Sequence, residues 1–305
     1  MVMRVIRGNL FEPLEKDTAL CLGYFDSLHL GHYHLVQEAK KKASVVALLT
    51  FDISPKKYFH QQENEAFMCE EDRFTLLEKW GVDIIIVLPF ELVKDISPEY
   101  FIHHYLKVYQ PSLLVVGFDY HYGKDAKGDI DLLKQFFPVH VIEEQKDEKG
   151  KLSTTRIYQL IKEGKMEEVT SLLGRYYRLK GIVVHGYENG RKIGFPTANM
   201  QCDFPYLLPK TGVYAGIANV HQQCYLAMID VGYHPTIMQV KERKIEVHLL
   251  DFHEDIYDEP MEIAFLSFLR EEKKFASMED LKKQLEKDKE TIRNLLKEVQ
   301  LSVEK

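Results

Sequence analysis

Apolar and polar positions alternate along this chain with two different rhythms, and the change of rhythm falls near the middle. In the first half, short all-apolar runs alternate with segments of helical spacing. "TALCLG" precedes the helical "GHYHLVQEAKKKA", "SVVALLTF" precedes "CEEDRFTLLEKWG", and "VDIIIVLPF" precedes "SPEYFIHHYLKVYQP". The last of these helices carries Ser97 as its cap and Pro98 in its first turn. "SLLVVGF", the helical "DIDLLKQF" and "PVHVIEE" continue the series. Apolar strands without polar alternation, separated by helices, predict a parallel sheet covered on both faces. Such sheets take ligands at the carboxyl ends of their strands, where "GYFDSLHLGH" and "GFDYHYGKDAKGD" fall.

After the charged segment "EEQKDEKGK", the stretch "STTRIYQLIKEGKMEEVTSLLG" reads as one or two short helices ending at Gly174. From there "GIVVHG", "GVYAGIANV", "CYLAMIDVG", "KIEVHLLDF" and "MEIAFLSFL" are strand-like, with Gly, Pro and Asn at the breaks. That pattern predicts a small antiparallel barrel. A final helix begins at "SMEDLKKQLEKDKETIRNLLKEV", where Ser277 and Asp280 resemble a capping box and Leu281, Leu285, Ile292, Leu295 and Leu296 share one face. The expected fold is α/β: a Rossmann-like domain over residues 1–155, a helical linker over 156–175, and a barrel domain with a C-terminal helix over 176–305.

Composition changes this picture little. With 305 residues, 45% of them hydrophobic and 29% charged, the chain can bury two cores. A formal net charge of −7 argues against a nucleic-acid partner but not against nucleotides, which need only a local pocket. The 4 cysteines form no CxxC pair, so neither zinc nor a disulfide framework is expected and a reducing cytoplasm is the natural setting. No run reaches the ~18 apolar residues of a membrane span, so no membrane partner is expected. Self-association is left open.

Two stretches carry candidate chemistry. In "HLGH", His29 and His32 flank Gly31 just after a predicted strand. At a helix start both imidazoles would join free N–H groups that favour anions, and Gly31 would let a planar base approach the backbone. Exposed histidines at a strand-to-turn junction are the open alternative. In "GYENGRKIGFPTAN", the glycines Gly186 and Gly194 mark turns, and no GxxxxGK[ST] signature is present. Thr197 and Asn199 offer hard oxygen atoms suited to Mg²⁺ bound through nucleotide phosphates.

"GYFDSLHLGH" resembles the GxFDGxHxGH signature of the nucleotidyltransferase superfamily, specifically the adenylyltransferase module of bacterial FAD synthetases. "LTFDISP", "VGFDYHYGKDAKGD" and "LSTTRI" resemble that module's TFxPHP-like, GxDFxFGxxRxG and SSTxIR blocks, in the same order. The resemblance implies a nucleotide and flavin site including Gly23, Phe25, Asp26, Gly31, Asp119, Tyr122, Ser153, Thr154, Thr155 and Arg156, with His29 and His32 acting on the triphosphate. Tyr120 and Tyr122 either hold the flavin ring or pack the core. Ser27, Ser54, Ala126 and Tyr158 depart from the blocks. Lys56, Lys57, Lys124 and Lys127 either restore charge or form a solvated basic surface.

"GRYYRLKGIVVHGYENGRKIGFPTAN" similarly resembles the opening of riboflavin kinase, and "TGVYAGIANV", "VGYHPT", "IEVHLLDF" and "FLREEKKF" follow in that family's order. The resemblance implies that Pro196, Thr197 and Asn199 of the PTAN motif bind Mg²⁺ and ATP phosphates, and that Glu246 activates the ribityl hydroxyl. Asp230 stands where that family's stretch has asparagine. Together the two resemblances imply a bifunctional riboflavin kinase and FMN adenylyltransferase, with riboflavin, FMN and ATP as small-molecule substrates. A kinase whose front domain has decayed into a regulatory flavin-binding module is the alternative.

Overall fold

The computed structural model describes every residue except 1, 9–11, 61–64, 187–189, 191–193, 234–242 and 299–305, and the side chains at 56, 57, 60 and 296–298 also lie outside the described set. The chain divides into two compact units, Met1–Thr154 and Thr155–Lys305.

Unit 1 is built on β1 (Arg4–Arg7), β2 (Thr18–Leu22), β3 (Val45–Phe51), β4 (Ile84–Leu88), β5 (Leu113–Gly117) and β6 (Val139–Ile142), all parallel in the order β1-β4-β3-β2-β5-β6. Every residue of β2 and of β4 is buried. That is why these strands read as unbroken apolar runs: successive side chains point to opposite faces, and helices cover both. Ala19, Cys21, Leu48 and Ile85 pack under the helices Leu30–Lys40 and Glu70–Trp80. Leu20, Leu22, Leu49 and Ile86 form the opposite core with Phe101, Ile102 and Tyr105. Those three lie in a helical stretch that starts at Pro98 under the Ser97 cap and carries a π-helical turn at Ile102–Leu106. The apolar rhythm predicts five of the six strands; β1 is the addition. It is a four-residue edge strand with one buried side chain, too short and too charged to show a period.

Strand order makes the crevice. β2 continues to β3 on one side and is flanked by β5 on the other. The loops leaving the carboxyl ends of β2 and β5 therefore diverge at the switch point where such sheets bind ligands. A short hairpin of β7 (Lys146–Asp147) and β8 (Gly150–Lys151) follows β6.

All but the first residue of the helix Thr154–Glu163 lies in unit 2, and the helix Met166–Leu173 follows it, ended by Gly174 in the left-handed conformation (φ 69°). Ile161 accepts the Lys210 N–H (3.2 Å), and Val169, Leu172 and Leu173 are buried. The segment 156–175 thus packs within the barrel unit. The barrel comprises β9 (Tyr177–Val184), β10 (Ala198–Gln201), β11 (Gly212–Val220), β12 (Gln223–Tyr233), β13 (Arg243–Leu249) and β14 (Pro260–Arg270), closed antiparallel in the order β10-β13-β12-β11-β14-β9. Four of these strands match the predicted runs closely. β9 begins upstream of its predicted run, and β10 lies inside the stretch read as a ligand motif.

Interior positions such as Tyr177, Tyr214, Val231, Val247 and Phe265 are fully or nearly fully buried, so the barrel is filled rather than hollow. Its outer surface is divided. Val213, Ala215, Ile217, Met228, Leu250 and Ala264 form an apolar patch covered by Ile292, Leu285 and Leu295 of the C-terminal helix Met278–Glu298. The Ser277 hydroxyl accepts the Asp280 N–H (3.1 Å) and donates to the Asp280 carboxylate (2.7 Å), capping that helix as predicted. The helix is also pinned by charge: Arg270 Nε donates to buried Asp288 (2.8 Å), whose other oxygen accepts from Gln284 (2.8 Å).

Removing one partner of a buried ion pair strands the other. Asp288→Ala is therefore expected to destabilise the barrel by roughly 3 kcal/mol, read as a lower urea midpoint for the unit.

Candidate functional site

The first candidate site grows from the turn between β2 and the helix Leu30–Lys40. Phe25 (φ 57°) and Leu28 (φ 47°) both occupy the left-handed region, and both are buried. Bulky side chains adopt that conformation only where the surroundings over-determine it, and such strain concentrates at functional sites. The turn is held from beneath. The Tyr24 carbonyl accepts from Thr50 Oγ1 (2.8 Å) and from the buried guanidinium of Arg73 (3.3 Å), which also lies 5.2 Å from the Tyr24 ring centroid. Ser27 is fully buried, and its hydroxyl bonds that of Thr154 (3.0 Å). Ser27 is not among the positive-φ residues, so this backbone does not require the family's glycine.

His29 is the N-cap of the helix. Its Nδ1 accepts the His32 N–H (3.3 Å), which places the proton of the neutral ring on Nε2. The rings of His29 and His32 stack at 3.9 Å between centroids, and His32 lies 5.0 Å from Phe25. A Cβ on Gly31 would come within 2.9 Å of His29 Cε1, so the glycine makes room for the histidine ring. Gly23 and Asp26 lie on the same turn.

From the end of β5, Asp119 is ion-paired to Lys151, which also sits 4.5 Å from the Phe118 ring centroid. Phe118, Tyr120, His121, Ile130, Lys134 and Val141 line a cleft of about 350 Å³. Tyr120 and Tyr122 stack at 5.8 Å, and burial pushes both phenols up, so they stay neutral. Tyr122 belongs to the core and is 7% exposed, whereas Tyr120 stands on the cleft wall. Ala126 is exposed with φ 54°, and the nearby Lys127 pairs with Asp125 (3.2 Å). Ser54 is buried, and its carbonyl accepts the Tyr58 N–H (2.9 Å) at the start of the helix Pro55–His60. Ser153 precedes the helix that begins at Thr154. Thr155, Arg156 and Tyr158 lie on its first turns, within unit 2. The side chains of Lys56 and Lys57 lie outside the described residues.

The second candidate site is on the barrel's outer face, beside the patch covered by the C-terminal helix. Asn199 on β10 faces Glu246 on β13, which faces Asp230 on β12. Directly opposed residues share a face, so three polar side chains form one row, each half-buried. The preceding residues are clamped onto the same strand. His248, two positions beyond Glu246, is buried and donates Nδ1–H to the Pro196 carbonyl (2.7 Å), its ring 5.1 Å from Phe195. Burial lowers the pKa of His248, with the bond to the Pro196 carbonyl opposing that shift. Thr197 is thereby held between the clamp and the row. Gly186 lies under Asn199: a Cβ there would collide with the amide. Gly194 (φ 83°) turns the chain before Phe195. Lys244 Nζ donates to Glu246 Oε1 (2.6 Å). Of the "VGYHPT" stretch, residues 234–236 lie outside the described set. Among the described residues no cluster of three or more His, Cys, Asp or Glu forms a metal cage.

Arg73, Lys151, His248 and Lys244 are additions to the sequence-derived site. Arg73 and Lys151 arrive from distant segments with no motif of their own. His248 and Lys244 carry the available signal, spacing of two from Glu246 on a strand.

A family model described as FAD synthetase matches residues 12–156, and one described as Riboflavin kinase matches residues 173–296. The bifunctional riboflavin kinase/FMN adenylyltransferase of Listeria monocytogenes is 38% identical over 293 residues, covering 92% of this chain and 93% of that protein. The chain belongs to this bifunctional family. The Bacillus subtilis member is 33% identical over 295 residues, with 92% and 93% covered. A Streptococcus pneumoniae crystal structure described as a macrolide-efflux protein matches with a TM-score of 0.88 at 34% identity, over 96% of this chain and 99% of that one. No helix among the described residues is long and apolar enough to cross a membrane. Because the bifunctional family's likeness extends over both units, it supports the two-activity reading over a kinase with a decayed front module.

Asp230 yields a pH test. Burial, then the neighbouring Glu272, pushes its carboxyl up to about 6, with Lys244 opposing. An unfolded aspartate ionises near about 3.9, so between these values the folded chain holds a proton that the unfolded chain does not. Wild-type stability therefore falls as pH rises through this window. Asp230→Asn is expected to melt ~2–4 °C above wild type at pH 8, the shift that about 1 kcal/mol produces in a domain of this size. The difference should vanish at pH 4 in calorimetric scans.

Proposed function

We infer that the chain phosphorylates riboflavin to FMN in its barrel unit and adenylylates FMN to FAD in its parallel-sheet unit. The observation that carries this reading is the register of Asn199 against Glu246 beside Thr197. It sets the Asn199 amide opposite the Glu246 carboxylate on one face of the sheet, with Thr197 two residues before Asn199 in the chain, which supports a shared site for the two motifs. The proposed division is residues 1–155 for adenylyl transfer, 156–175 as helical connector and 176–305 for the kinase. A cytoplasmic location suits these substrates.

In the kinase step Glu246 accepts the proton of the ribityl hydroxyl as its oxygen bonds the γ-phosphorus of ATP and ADP leaves. Thr197 and Asn199 would present hard oxygens suited to a metal held largely by nucleotide phosphates. Mg²⁺, when bound, would neutralise phosphate charge. In the front unit an FMN phosphate oxygen attacks the α-phosphorus of ATP and pyrophosphate leaves. His29, through its Nε2–H, and His32 would stabilise the charge that develops there. Ser153 and Thr154 would add a second phosphate contact. The aromatic wall of Phe118 and Tyr120 would take the flavin ring. Lys151 offers a cation near the block in which Ala126 replaces arginine.

Incubation with riboflavin, ATP and Mg²⁺, followed by chromatography, should yield both FMN and FAD. Glu246→Gln should cut FMN formation by ~10²–10⁴-fold while FAD formation from added FMN persists. His29→Ala and His32→Ala should show the reverse, each losing ~10²–10³-fold in FAD formation. Production of FMN without any FAD by wild type, at every enzyme concentration, would restore the regulatory-module reading. Thr197→Ala and Asn199→Ala should raise the Mg·ATP concentration needed for half-maximal FMN formation; unchanged dependence in both would reduce "PTAN" to a turn.

A further inference from the structure

Glu246 faces two neighbours of opposite kind. Across the ladder stands Asp230, whose Oδ1 is buried and has no hydrogen-bond partner among the described residues. Like charges directly opposed on a sheet repel. On its own strand, two residues back and on the same face, Lys244 donates to Glu246 Oε1 at 2.6 Å. The pair is half-buried, with side-chain exposures of 19% for Lys244 and 27% for Glu246. Solvent therefore screens it less than a surface pair.

The path of the lysine is set by its own cross-strand partner, Gly232. A Cβ there would approach Lys244 Cε to 3.3 Å and Glu272 Oε1 to 2.6 Å. The lysine stem thus passes over a position without a side chain, with Glu272 alongside. Its ammonium is directed to Glu246 even though Asp230 and Glu272 also attract it.

We propose that Lys244 is a positioning residue for riboflavin phosphorylation, holding the Glu246 carboxylate by Oε1 against repulsion from Asp230 so that Oε2 is the oxygen left to take the hydroxyl proton. This rests on the reading of Glu246 as the base. Lys244 itself neither gains nor loses a proton. It fixes the direction in which the carboxylate faces. Asp230 is the other half of the arrangement: with aspartate rather than asparagine opposite the base, a restraining cation on the base's own strand becomes necessary.

The test is steady-state kinetics of FMN formation for wild type, Lys244→Met, Lys244→Arg, Glu246→Gln, and Lys244→Met combined with Asp230→Asn, with melting curves to confirm folding. Misplacing a reacting group by about 1 Å can cost ~10²-fold. Lys244→Met is accordingly expected to lower kcat roughly 10- to 100-fold with KM for ATP and riboflavin little changed. Lys244→Arg should recover most of the rate, and the added Asp230→Asn should recover part of it by removing the repulsion. If Lys244→Met does not fold, Lys244→Gln replaces it, with the same expectation. An inactive Glu246→Gln beside a Lys244→Met at near wild-type kcat would overturn the positioning role alone. An active Glu246→Gln would overturn the base assignment and this proposal with it. A loss that falls on KM for ATP with kcat intact, or one that neither arginine nor Asp230→Asn relieves, would make Lys244 a direct substrate contact and also overturn it.

Discussion

Complete filling of two interiors governs where this protein can do chemistry. In unit 1, β2 and β4 bury every residue, and helices close both faces of the sheet. In unit 2 the barrel lumen is occupied by Tyr177, Tyr214, Phe265 and their neighbours. An uncompensated polar group in either place costs several kcal/mol, ~2–7 by transfer measures. Reactive side chains are therefore confined to two kinds of place: the carboxyl ends of the parallel strands, and the part of the barrel's outer wall that the C-terminal helix leaves uncovered. Both candidate sites lie there.

The two sites solve the resulting problem of precision differently. The front site sits on a turn, and turns are mobile unless restrained. Here the restraint is a stack of local devices: two buried residues held in the left-handed region, an arginine and a threonine beneath one carbonyl, and a hydroxyl pair linking Ser27 to Thr154. The rear site sits on strands, so register alone sets its spacing. Asn199, Glu246 and Asp230 are aligned by the same ladder that closes the barrel, and Pro196, three residues before Asn199, is held by His248.

Much of this was legible in the sequence because burial on both faces leaves a strong signal. The runs "TALCL", "IIIVL" and "LLVV" could hardly be anything but covered strands, and the glycine and capping signals around Gly174 and Ser277 named their helix ends correctly. The edge strand β1 and the short β10 left no such signal: one has a single buried residue, and the other is written in residues that also make a ligand motif. Motif reading singled out the candidate segments but treated Ser27 as a lost glycine. The structure shows a backbone that tolerates a side chain there and a hydroxyl put to use. Arg73 and Lys151 were invisible, since a cation reaching a site from a distant segment obeys no spacing rule. Tyr120 and Tyr122 could not be separated by pattern, because neighbours two apart in a loop have no fixed face. The fold assigns one to the cleft wall and the other to the core.

The glycine beneath Asn199 has a consequence for how such a chain can drift. Because a Cβ at 186 would strike the Asn199 amide, a side chain there requires the amide to swing away from its place opposite Glu246. A smaller residue at 199 would lift that restriction, but only by surrendering the amide opposite Glu246. The two positions are therefore coupled: a side chain at 186 and an amide held opposite Glu246 at 199 exclude one another in this arrangement. Divergence in this part of the barrel should accordingly run along the strands' solvent edges and leave this pair as a single inherited unit.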